Sequence, residues 1–125
     1  MDQDQPLAPI PELALAFVDD SLIMRLVWQR AELAGFTVEV FKSPEEFMAS
    51  TRSFDAVVTD YNFDGSPNNG HDLALWVRAH RPKMRVIVCS NQDDIDQSAF
   101  DGSVSKEKIP TAEVLRGLLF CPVNS

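Results

Sequence analysis

LALAFVDDS, residues 13–21, opens on six apolar residues and closes on two adjacent carboxylates, Asp19 and Asp20. A run this short reads as a strand, and its unbroken apolarity is that of a strand covered on both faces. Such strands belong to parallel sheets sandwiched between helices, where ligands sit beyond the carboxyl ends of the strands. The acidic pair stands at that position.

The rest of the chain repeats the theme. FTVEVF (36–41), FDAVVT (54–59) and MRVIVC (84–89) are further strand-like runs, and GSVS (102–105) is a weaker one. Between LALAFV and FTVEVF, Ile23, Leu26, Val27, Ala31 and Ala34 recur at helical spacing and stop at Gly35, predicting a helix over 22–34 with that stripe toward the core. Ser43-Pro44-Glu45-Glu46 has the residues of a helix start. Leu73, Trp76 and Val77 mark a helix that ends before Pro82, and Val114, Leu115, Leu118 and Leu119 a closing one. Strands alternating with helices predict a doubly wound α/β fold.

The 125 residues suffice for one core. Residues 1–12, with three prolines and no periodicity, read as a flexible lead-in, 13–120 as the domain and 121–125 as a tail. No apolar run approaches a membrane span and the start is not a secretory signal, so the expected compartment is the cytoplasm. A net charge of −8 opposes nucleic-acid binding and points to proteins or cations as partners. Cys89 reads as a core residue, Cys121 as incidental, and their spacing is neither a metal nor a redox motif. His71 and His80 receive no catalytic role, and Asp93, Asp94 and Asp96 read as a solvated acidic face.

The strand-end rule collects a specific set: Asp19 and Asp20, then Asp60, Ser90 and Lys106. Crowded carboxylates need a cation or a proton between them, and hard oxygen donors suit Mg²⁺. A carboxylate can also attack phosphorus, with an ammonium and a hydroxyl neutralising the transferred charge.

VDDSLIMR, VVTDYN, VCSN and DGSVSK, taken together, resemble the receiver domains of two-component signalling, especially the chemotaxis type, from Leu13 to about Leu119. The resemblance implies a flavodoxin-like five-stranded parallel sheet in the order 2-1-3-4-5 with helices on both faces. It implies that Asp60 is the phosphoacceptor and that Asp19, Asp20, Asp60 and the backbone carbonyl of Asn62 hold Mg²⁺. Ser90 would bind a phosphoryl oxygen and Lys106 would pair with the phosphoryl group. The implied partners are a histidine kinase or phosphotransfer protein and an output protein, without nucleic acid or membrane. The chain would be a switch that assists its own phosphorylation and dephosphorylation, not an enzyme.

Three departures accompany the resemblance. Asp64 stands where the family usually has a proline, in a loop that is slightly long. Only residues 91–105 separate Ser90 from Lys106, so the fourth helix, between the last two strands, is expected to be shortened. Ser103 occupies the position, three before the lysine, where family members carry a switching aromatic; Lys108 is a rival for the lysine role. The abbreviated crossover keeps a pseudo-receiver, a docking module not regulated by phosphorylation, as the alternative. A haloacid-dehalogenase-type phosphatase would need Asp-x-Asp after the first strand, and a flavodoxin-like cofactor protein a Ser/Thr/Gly-rich loop there; the chain has neither.

Overall fold

In the computed structural model, which describes residues 12–91 and 97–120, the apolar runs are strands of one parallel sheet. The elements are β1 (Leu13–Val18), α1 (Leu22–Arg30), β2 (Phe36–Phe41), α2 (Pro44–Ala49), β3 (Ala56–Asp60), α3 (Gly70–His80), β4 (Arg85–Cys89), β5 (Gly102–Val104) and α4 (Ala112–Phe120). The five strands lie in the order β2-β1-β3-β4-β5, all parallel. The expected α/β architecture and strand order are both present.

Side chains alternate across a strand, so each run supplies two cores. Ala16, Val18, Val57, Val86 and Val88 pack with Phe47 of α2 and Leu73, Ala74 and Val77 of α3. Leu15, Phe17, Val58, Ile87 and Cys89 pack with Trp28 of α1 and Leu115 and Leu119 of α4. Burying each such large side chain stabilises the fold by roughly 1.5–3 kcal/mol, which is why these faces are almost wholly apolar; the buried Thr59 satisfies its hydroxyl on the Asp60 carbonyl at 2.8 Å. The caps follow their sequence signals. Ser43 accepts the Glu46 N–H at the start of α2, and Asn69 and Asp72 form a reciprocal capping box at the start of α3.

Helix α1 departs from its expected form. It stops at Arg30, and the stripe predicted to face the core is turned outward: Ile23 is 72% exposed, Leu26 37% and Val27 43%. Residues 22–28 are apolar around most of the helix, so spacing alone leaves its rotation open. Trp28 settles it. Its ring stacks on Phe17 at 4.6 Å between centroids and is fully buried, and the largest side chain outweighs several smaller ones in the area it removes from water. Leu22, Ile23, Leu26 and Val27 then form an exposed apolar ridge.

The connection from β4 to β5 is abbreviated, as the short segment requires. Its described part holds one 3₁₀ turn, Gln97–Ala99; Asp93, Asp94 and Asp96 lie outside the described residues. Polar side chains brace it. Asp101 accepts the Val86 N–H at 2.8 Å and sits 3.6 Å from both Arg78 and Arg85, while Arg78 donates two bonds to the Ala99 carbonyl.

Two glycines make opposite stability predictions. Gly35 has φ +84° and a Cβ there would lie 1.7 Å from Arg116 Nη2, a group that donates to the Ala34 carbonyl. Gly35→Ala should cost at least about 1 kcal/mol. Gly117 lies inside α4 with open space around it, so Gly117→Ala should stabilise by about 0.5–1 kcal/mol. Urea denaturation of the two variants checks both signs.

Candidate functional site

Because β1 and β3 are neighbours in the sheet, the residues ending them meet beyond its edge. Asp19 is fully buried, Asp60 is 5% exposed, and Asp20 is exposed. Oxygens of these three carboxylates lie within 4.8 Å of one another. Lys106, beyond β5, places Nζ 2.9 Å from Asp60 Oδ2. A cavity of about 370 Å³ opens above, lined by Asp20, Asp60, Asn62, Asp64, Ser90, Asn91 and Lys106. Every site residue expected from the sequence except Asp19 lines it, and Asp19 belongs to the adjoining carboxylate cluster. Lys106 rather than Lys108, an exposed residue, makes the ion pair.

The charges are poorly balanced. Burial pushes the Asp19 carboxyl up to about 6; a bond from Ser21 N–H opposes this and the neighbouring Asp60 charge adds to it. Burial also raises Asp60, against the Lys106 ammonium and the Tyr61 N–H that donates to its Oδ1 at 2.7 Å. Burial works against the Lys106 ammonium, but the bond and charge of Asp60 outweigh it and hold its pKa above the ordinary lysine value. Asp19 Oδ2 is buried with no hydrogen-bond partner. An orphaned carboxylate oxygen costs free energy unless a proton or a cation meets it. Three oxygen donors converging there fit a hard divalent cation.

Local chain features hold this arrangement. Ser21 caps α1 and its N–H fixes Asp19 Oδ1, while Arg25 donates to the Asp19 carbonyl. Gly70 is required by close packing, since a Cβ there would lie 2.4 Å from the Asp60 carbonyl oxygen. Asp64, noted only as a departure in the sequence, donates its backbone N–H to Asp20 Oδ2 at 3.1 Å. Ser66 and Asn68 donate to Glu45 of α2 and so strap the loop after β3; Asn68 and then burial and Ser66 govern Glu45, whose pKa is lowered. Asn91 was missed although it directly follows Ser90 at the same strand end. His80 stacks on Trp76 at the other end of α3, away from these groups.

No protein-family model matches the sequence, and no curated protein matches it. Among solved structures, the response regulator protein TrrA from Thermotoga maritima, in complex with Mg²⁺-BeF, is similar at 19% identity and a TM-score of 0.72, over 86% of this chain and 99% of that one. A CheY-like response regulator receiver domain from Methylobacillus flagellatus is similar at 22% identity and a TM-score of 0.72, over 86% and 98%. The fold is the receiver fold. RcsB from Salmonella enterica serovar Typhimurium, bound to promoter rprA in the presence of BeF₃⁻, is similar at 18% identity and a TM-score of 0.70, and the chain spans only 60% of it. Among the described residues no helix is long and apolar enough to cross a membrane.

The raised Asp19 carboxyl makes a prediction about stability in chelator. The unfolded chain releases this proton near 3.8 and the folded one near 6, so the group's stabilising contribution is complete in acid and is lost as pH rises through the folded value. Between about pH 4 and 6 the urea midpoint of the wild type should fall relative to that of Asp19→Asn. A gap that stays constant over this interval would refute the raised carboxyl.

Proposed function

We propose that the chain is a phosphoacceptor receiver domain of a two-component phosphorelay, phosphorylated on Asp60 by a histidine kinase or phosphotransfer protein in the cytoplasm. The observation that carries this reading is the buried Asp60 carboxylate, ion-paired to Lys106 beside the unpartnered oxygen of Asp19. Structural neighbours crystallised with Mg²⁺-BeF, or activated by BeF₃, support it.

The chemistry follows from the positions. An Asp60 oxygen forms the new bond to phosphorus as the bond from phosphorus to the donor's imidazole nitrogen breaks, and the imidazole leaves. Lys106, already at hydrogen-bond distance, holds the nucleophile in place and then faces the added negative charge. Ser90, on the cavity wall, donates its hydroxyl to a phosphoryl oxygen. Asp19, Asp20, Asp60 and the Asn62 carbonyl would hold Mg²⁺, which when bound neutralises charge on the transferred group. The exposed ridge on α1 starts two residues past Asp20 and gives a phosphodonor protein an apolar seat beside the cavity. The product is a changed charge state, so the domain acts as a switch rather than as an enzyme, and its output passes through protein contacts.

The pseudo-receiver reading retains one supporting observation, the abbreviated connection between β4 and β5 together with the non-aromatic Ser103. Phosphorylation separates the two. Acetyl phosphate with Mg²⁺ should add one phosphoryl group to the wild type and none to Asp60→Asn, read by intact mass. Lys106→Ala should slow the transfer by roughly tenfold or more, whereas Lys108→Ala should match the wild type. Mg²⁺ at ten times its Kd should stabilise the protein by ~1.4 kcal/mol, several degrees in Tm, and Asp20→Ala should lose most of that shift. A wild type that takes no label leaves the docking module.

The readout should be local. Tyr61 donates to Asp60 through its N–H, and its ring packs on Phe100, 6.3 Å between centroids, just ahead of β5. A double charge on Asp60 therefore acts first on the loop after β3 and on the connection into β5. Beryllofluoride should shift NMR resonances mainly in residues 61–70 and 90–100, with little change along α1 or α2. Large shifts confined to the far ends of the helices would contradict this route.

A further inference from the structure

Lys106 must hold Nζ at Asp60, yet β5 ends two residues earlier, at Val104, and is only three residues long. The last ladder bond runs from Ser90 N–H to the Val104 carbonyl at 3.1 Å. Beyond it, among the described residues, no backbone pair follows between the two segments, and the Asn91 side chain continues the pairing. Asn91 Oδ1 accepts the Lys106 backbone N–H at 2.9 Å and the Ser105 hydroxyl at 3.1 Å. Ser105 Oγ in turn accepts the Glu107 N–H at 3.0 Å, closing the turn on itself. One amide oxygen thus stands where the carbonyl of a longer strand would be, and it belongs to the residue next to Ser90, on the wall of the same cavity.

We propose that Asn91 is a positioning residue for phosphoryl transfer to Asp60, acting through Lys106: its side-chain oxygen fixes the main chain that carries the lysine. The inference rests on the phosphoacceptor reading above. Its physical basis is that a lysine stem has many rotamers and an ammonium placed by a loose turn spends less time at the nucleophile. Asn91 ties the turn bearing Lys106 to the end of β4, so Ser90 and Lys106 are held as a unit. Both bonds are exposed to solvent, so water competes with them and the effect is modest.

The test uses the full chain, acetyl phosphate with Mg²⁺, and a double-mutant cycle. Asn91→Ala should slow phosphorylation of Asp60 about fivefold, the worth of one competed hydrogen bond, and should slow it no further in a Lys106→Ala background. The Lys106 amide proton, read by NMR without any phosphodonor, should move upfield and exchange faster in Asn91→Ala, and should stay near its wild-type shift in Asn91→Asp, which keeps the acceptor oxygen. An Asn91→Ala variant that is labelled at the wild-type rate, or that loses as much with Lys106 absent as present, overturns the proposal. If the wild type takes no label while the Lys106 amide still moves in Asn91→Ala, the phosphorelay reading falls, and with it the catalytic purpose of the contact.

Discussion

Asp19 follows β1 directly and Asp60 ends its neighbour β3, and both are removed from water beside one ammonium, that of Lys106. Two like charges this close in a poorly solvated place raise each other's free energy, and the sheet's own stability holds them together. The surrounding features serve that constraint. Ser21 steadies one carboxylate oxygen, Tyr61 and Lys106 the two oxygens of the other, and one oxygen of Asp19 is left over. The site is therefore a balance that one added cation, or one more negative group on Asp60, would tip.

Why the balance sits there follows from winding. The chain makes β1, moves to β2 on one side, then crosses back to β3 on the other. Loops leaving β1 and β3 depart in opposite directions, and the gap between them is the place where a sheet of this kind can admit a ligand. Gly70 lets α3 start almost against the backbone of Asp60, which keeps the wall of that gap thin and rigid.

Much of this was readable from the chain alone, for a physical reason. Strands buried on both faces are nearly unbroken apolar runs, and the charged or polar residues that close them are forced to the sheet edge, so Asp19, Asp60 and Ser90 announce themselves by position; Lys106, two residues past the short and partly polar β5, is marked less sharply. Rotation of α1 was not readable, because Leu22, Ile23, Met24, Leu26, Val27 and Trp28 offer several apolar faces and only packing against Phe17 chooses among them. Nor were the polar straps: Asp101 with Val86, Glu45 with Ser66, and Asn91 with Lys106 join residues 15 to 21 apart. Their partners are selected by the fold after it forms, and a short polar side chain in a loop looks the same whether or not it has one. These straps occur where regular pairing runs out, two of them at the abbreviated connection and the three-residue β5 and the third at the loop after β3. Segments held by a few solvent-accessible bonds open at low free-energy cost, which suits them to change while the core stays fixed.

Cys89 lies at the end of β4, fully buried. Burial, and then the nearby Asp19 charge, push its thiol up to about 12. Only the thiolate reacts readily with alkylating reagents, and a group so placed has almost none at neutral pH in the closed protein. With Cys121 replaced, modification of Cys89 would therefore count openings of the sheet edge itself. A natural thiol under the carboxylates becomes a clock for how often the site breathes.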